Sequence, residues 1–169
     1  RRLRVGLTER DPLHAVLRVD GKFCADGRAP GFLDPCVTPR CQVEIGAAGA
    51  MGAAAVVEAA GGSASDAANA AAIAFQNSMG SVCDLVGGMV EIPCHTRNAV
   101  AASSSFVCAD LVVGGYQNPI PLDETIDAVY AVGRMMPSEL LCTSKGGLAV
   151  TPSALTLVRK GQKLGGTSP

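Results

Sequence analysis

The sequence has no tryptophan, two tyrosines and four phenylalanines, so aromatic residues make up only 4% of its 169 positions. That scarcity excludes a base-stacking platform for single-stranded nucleic acid. Charge of one sign is also lacking: 14 Lys and Arg against 15 Asp and Glu leave a formal net charge of -1. With no broad positive field to meet phosphates, a strongly basic nucleic-acid binder is excluded. Long apolar runs are missing. The richest stretch, Val43 to Gly61, is mostly Ala and Gly and is interrupted by Glu44 and Glu58. A membrane-spanning helix needs about 20 strongly apolar residues, and Ala drives insertion only weakly. Arg1, Arg2 and Arg4 are not followed by a continuous apolar segment, so no secretory signal is expected. The first residue is not Met, which fits a processed form or a piece of a longer chain. The expected setting is cytoplasmic, with no membrane and no nucleic acid as partner.

What is present is small and apolar. Hydrophobic types reach 48%, much of that is Ala, and Gly numbers 20. Such residues bury little area each, so the elements must approach closely to form a dense interior. The length fits one domain. Seven cysteines stand at positions 24, 36, 41, 83, 94, 108 and 142. An odd number without a secretory signal argues against a disulfide framework and leaves buried thiols, metal ligands or a catalytic thiol.

Three regions can be separated. Residues 1–40 hold eight of the 14 Lys and Arg residues and four of the 10 prolines. They read as one short element around Leu13, Val16 and Leu17 followed by irregular chain, a divergent N-terminal segment. Residues 41–152 read as an all-α, Ala/Gly-rich helical bundle. A first helix spans Glu44 to Ala60 and stops at Gly61-Gly62. Ser63 is the expected N-cap of a second helix running to Met79, with Ala68, Ala71, Ala72, Phe75 and Met79 on its buried face. Ser81 to Pro93 is loop or short extended chain. A third helix is expected from His95 to Val113, and a fourth from Glu124 to Met136 with Asp123 as its N-cap. Residues 153–169 read as a flexible basic tail. Gly46, Gly49 and Gly52 recur every third residue, although each Gly costs about 1 kcal/mol in a helix interior. That spacing calls for something in close approach: another backbone, a cofactor or a substrate. It is not the G-x-G-x-x-G dinucleotide fingerprint, because no strand precedes it.

Cys41 precedes the first helix, Cys83 follows the second and Cys94 precedes the third. Two antiparallel helices of nearly equal length return the chain to its starting end, so these three thiols can converge there. Helix N-termini favour the thiolate. Three sulfur donors are one short of a closed zinc site. They suit a [4Fe-4S] cluster with one iron left open to act as a Lewis acid. No C-x-x-C pair is present, and buried core thiols satisfy the same spacing.

Several ordered segments carry a resemblance. They are Cys41-Gln42-Val43-Glu44-Ile45-Gly46, Asn69-Ala70-Ala71, and Val82-Cys83-Asp84-Leu85-Val86-Gly87-Gly88-Met89-Val90-Glu91-Ile92-Pro93-Cys94. Arg97-Asn98-Ala99, Pro121-Leu122-Asp123 and Gly146-Gly147-Leu148-Ala149-Val150 follow. Together they resemble the bacterial-type iron-sulfur L-serine dehydratases across roughly residues 41–152. The resemblance implies a helical catalytic domain in which Cys41, Cys83 and Cys94 hold a [4Fe-4S] cluster. It implies elimination of water from L-serine to give pyruvate and ammonia, a reaction of amino-acid degradation that feeds gluconeogenesis. A separate β-type domain or subunit, or a second copy of the chain, is the expected macromolecular partner.

The chain departs from the family pattern in three places. Leu85 stands for a Pro, the Gly-rich stretch before the first cluster cysteine is absent, and upstream Ser/Thr/Gly-rich segments are not found in residues 1–40. The expectation is therefore the C-terminal part of a catalytic region, with a non-catalytic remnant of the same fold as the alternative. Glu44, Arg97 and Asn98 are the candidates for catalytic work: Glu44 lies one turn beyond Cys41, and Arg97 is a natural carboxylate partner. Their bland readings are a helix-start carboxylate and a surface pair. Cys36 reads as a loop thiol, Cys108 and Cys142 as structural, and His95 as a surface residue.

Overall fold

The computed structural model describes residues 40–89 and 91–165; the side chains of residues 40, 41, 43 and 162–165 are not among those described. The element expected near Leu13 and the rest of residues 1–39 lie outside it, as do residues 166–169.

The described chain is all-α, as the hydrophobic periodicity requires. Helices α1 (Arg40–Ala59) and α2 (Ala64–Ser78) form the hairpin, followed by α3 (Cys94–Val113), α4 (Leu122–Met135) and α5 (Pro152–Gly165). Two short 3-10 turns, Ser138–Leu140 and Gly147–Val150, lie between α4 and α5. The end of α1 is set by Gly61 in the left-handed region (φ +84°). The Gly62 N–H then reaches back to the Val57 carbonyl at 2.9 Å, a closure that satisfies the helix's last carbonyls. Ser63 caps α2. Its hydroxyl accepts from the Asp66 N–H while the Asp66 carboxylate accepts from Ser63 N–H, a complete capping box. The Ser63 hydroxyl, 2.7 Å from Asp66 Oδ2, and then the Ser63 N–H hold the Asp66 carboxyl below its ordinary pKa.

Helix α1 packs against α2 and α3, and α4 lies on α2. The core is largely alanine, with Ala50, Ala53, Ala70 and Ala72 fully buried and Val57, Phe75, Val112, Ile126 and Val129 supplying the bulk. The close approach that the glycine spacing calls for is to neighbouring helices. A Cβ at Gly52 would lie 2.7 Å from Ser105 Oγ on α3, and one at Gly46 would lie 2.6 Å from Ser78 Oγ at the end of α2. The Ser105 hydroxyl is within 3.0 Å of the Gly49 carbonyl, tying the two backbones together. Gly52→Leu is therefore expected to destabilise the protein by about 1–3 kcal/mol through overpacking. Urea unfolding checks this against Gly161→Ala, where a Cβ meets nothing within 4 Å.

Several boundaries differ from those expected. Helix α1 begins at Arg40, so Cys41 and Gln42 sit inside its first turn. The cause is Gln42, whose fully buried amide donates to the Val129 carbonyl at 2.7 Å and accepts from Gly80 N–H at 2.6 Å. Helix α3 likewise starts on Cys94 itself. Asp123 is not the N-cap of α4: Pro121 holds that place in extended conformation, and Asp123 and Glu124 fall in the first turn. There they face the positive end of the helix. From Pro152 the chain is helical where a frayed tail was expected. Ala154 is buried, and a Cβ at Gly87 would come within 2.8 Å of the Val158 side chain, so α5 has a surface to pack on.

Candidate functional site

At the end of the bundle where α1 begins, the chain between α2 and α3 meets the segment after α4. Cys83 is extended there. Its N–H donates to the Leu140 carbonyl at 2.9 Å and its carbonyl accepts from Cys142 N–H at 2.9 Å. Gly87 and Gly88, both at positive φ, turn the chain back between Val86 and Met89, and it then enters α3 at Cys94. Cys83 and Leu85 are buried in one small apolar cluster, with Ile45, Cys94 and Cys142 packed against them. Ile45 lies four residues after Cys41 on α1, and residues at that spacing share a helix face. The structure thus brings Cys83 and Cys94 into one cluster beside Ile45 of α1. The Cys41 side chain lies outside the described residues.

Beside this cluster is a buried polar network. Asp84, 2% exposed, forms an ion pair with Arg97 (Nη1 to Oδ1, 2.8 Å). The other carboxylate oxygen of Asp84 accepts from Leu148 N–H at 2.8 Å. The same Arg97 Nη1 donates to the Val82 carbonyl at 2.8 Å. Gly147, at φ +60°, makes room for the carboxylate: a Cβ there would lie 2.5 Å from Asp84 Oδ2.

A cleft of about 260 Å³ opens next to Ile45, between α1, the end of α2 and the start of α3. Its polar lining is Asn77, Ser78, Ser81, Thr96, Arg97 and Ser104, and Gly46 and Gly49 keep its α1 wall low. The arrangement offers soft sulfur donors next to a pocket large enough for a small polar molecule.

Of the candidates drawn from the sequence, Arg97 lines the cleft, whereas Glu44 and Asn98 are exposed and do not. His95 is exposed. Cys108 is buried in the α1–α2–α3 core, and burial pushes its thiol pKa up, as for an inert core residue. Asp84 and Gln42 were not singled out from the sequence; Cys142, expected to be structural, packs against Cys83 and Leu85. The lone carboxylate set among apolar neighbours was a signal for Asp84, but its partner Gly147 lies 63 positions away and gives none. Among the described residues no three His, Cys, Asp or Glu side chains are grouped to hold a metal ion. Cys83 and Cys94 are thiols, soft donors of the kind that iron-sulfur clusters use.

Residues 40–149 match the family described as "Serine dehydratase alpha chain". The chain belongs to this family. The matched span of the serine dehydratase alpha chain family takes in Cys41, Cys83, Cys94, the Asp84–Arg97 pair and the first 3-10 turn, and ends within the second, before α5. The chain is 48% identical over 120 residues to a probable L-serine dehydratase, alpha chain, of Bacillus subtilis (strain 168), covering 71% of this chain and 40% of that protein. It is 46% identical over 120 residues to the protein of the same name from Latilactobacillus sakei, covering 71% of this chain and 57% of that one. With the L-serine dehydratase, alpha chain, of Peptoniphilus asaccharolyticus the identity is 44% over 109 residues, 64% of this chain and 37% of the relative. The matched region therefore spans between 37% and 57% of the length of these serine dehydratase alpha chains.

Proposed function

We propose that this chain carries the cluster-binding part of an iron-sulfur L-serine ammonia-lyase, with Cys41, Cys83 and Cys94 as the ligands of a [4Fe-4S] cluster. The observation that carries the reading is the meeting of Cys83 and Cys94 beside Ile45 of α1, which also lines the adjoining cleft. Three protein thiolates leave one iron of the cluster open, and when bound it supplies Lewis acidity toward the substrate hydroxyl. The chain's own residues provide the rest of the site. Ser78, Ser81, Thr96 and Asn77 offer hydrogen bonds to a small amino acid in the cleft. Arg97, paired with Asp84, also lines the cleft. Loss of the α-hydrogen and the β-hydroxyl from L-serine leaves aminoacrylate. This tautomerises to an imine and hydrolyses to pyruvate and ammonia.

A partner is part of the proposal. The relatives are named as alpha chains, and α3 exposes Val100, Phe106 and Val107 by 59–65%, apolar surface that a second polypeptide would cover. We assign that role to a β-type chain, with self-association as the other outcome of a sedimentation test. Among the described residues no helix is long and apolar enough to cross a membrane, in keeping with the proposed cytoplasmic setting.

The test is pyruvate formation from L-serine by anaerobically reconstituted protein, alone and with a β-type chain. Turnover in either arm is the expected result. A fully loaded cluster with no pyruvate in both arms overturns the enzymatic reading and leaves a non-catalytic remnant.

A further inference from the structure

The proposed site depends on holding the Cys83 loop in register with α3, which begins on Cys94. One side of that loop is fixed by backbone pairing with residues 140–142. Ser144 donates its hydroxyl to the Leu85 carbonyl at 2.6 Å, and from α3 the loop is held by Arg97. Arg97 lies three residues after Cys94, on the next turn of α3. Its Nη1 donates to the Val82 carbonyl and to the Asp84 carboxylate, each at 2.8 Å. These are the residues directly before and after Cys83, so the guanidinium brackets that cysteine. Asp84 is itself anchored by the Leu148 N–H and seated against Gly147, where any side chain would strike it. A charge-assisted pair is stronger than a neutral hydrogen bond, and losing Arg97 leaves the buried Asp84 carboxylate without its counter-charge.

From this geometry we infer that Arg97 and Asp84 are positioning residues, a clamp that fixes Cys83 relative to Cys94 and links both to the 3-10 turn at Gly147. Calling them positioning residues for a cluster rests on the function proposed above; the clamp itself does not. Nothing in the clamp requires Arg97 to touch substrate, so its main effect runs through the cysteine loop.

Buried thiols supply a readout that needs no iron. Cys83 and Cys108 are 2% and 3% exposed, but only Cys83 lies in the clamp. The full chain, free of iron, is alkylated with iodoacetamide and each cysteine is followed by peptide mass spectrometry. Arg97→Gln should raise the labelling rate of Cys83 by about tenfold or more, as local opening becomes easier, with Cys108 unchanged. Arg97→Lys, which keeps the charge but not the fork, should fall between wild type and Arg97→Gln. It also serves where the Gln variant does not fold. Equal rises at Cys83 and Cys108 would mean general destabilisation, and no rise at Cys83 would mean no clamp; either overturns the inference. A wild-type chain that takes up no cluster would sink the proposed function while leaving the alkylation result standing.

Discussion

Cys83→Ala is expected to remove the broad visible absorption of the reconstituted protein almost entirely and to bring bound iron close to background. The effect is large because a cluster held by three thiolates loses a third of its protein ligands, and nothing apolar can replace a sulfur donor. The fold should survive. Cys83 is buried in a small cluster with Leu85, away from the alanine-rich core, and its backbone pairing to residues 140–142 needs no side chain. The loss of stability should be about 1 kcal/mol, the ordinary size for a point change. Cys108→Ala is the control. That thiol is as buried but belongs to the α1–α2–α3 core, so the variant should lose stability and keep the absorption. Anaerobic reconstitution with iron analysis and thermal melts decides the matter. Retention of the absorption by Cys83→Ala would remove the ligand assignment.

The largest loss of stability should come from Gln42→Ala. The side chain is fully buried and joins three parts of the fold: the first turn of α1, the Val129 carbonyl of α4 at 2.7 Å, and Gly80 N–H after α2 at 2.6 Å. Truncation leaves the Gly80 donor unsatisfied, at about 1–3 kcal/mol, and opens a cavity whose cost adds to it. The expected total is about 3–5 kcal/mol, a large part of the stability of a typical domain. Gln42→Leu refills the volume without restoring either bond and should recover only part of the loss. Urea unfolding measures both. A cost below about 0.5 kcal/mol, the level of an ordinary surface substitution, would show that the bonds do not hold α1 to its neighbours.

Much of this molecule is legible in one dimension. The spacing of Ala and Phe residues in α2, the capping pair Ser63 and Asp66, and the Gly61-Gly62 stop are local signals, and the helices they describe are present. The return of the Cys83 loop toward the start of α1 is read from two helices of nearly equal length, although α1 has 20 residues and α2 only 15. The glycine repeat announced a close approach but not its object: Ser105 and Ser78 are 53 and 32 positions from the glycines they crowd. The start of α1 was misjudged because Gln42 is an ordinary polar residue until its two distant partners are known.

The order of the cysteines, the small-residue composition and the separated motifs by themselves determined the helical class and the family. Each motif is a run of near neighbours in the chain, and helix formation and capping act over three or four residues. Tertiary structure alone decided that Asp84 is a buried anchor and Arg97 a bracket around Cys83. It also decided that Gln42 is a core hydrogen-bonding residue and that the chain after Pro152 has a surface on which to form a helix. Each of these depends on a group brought from another element into a site sheltered from water, and a linear pattern holds no record of which distant group that is.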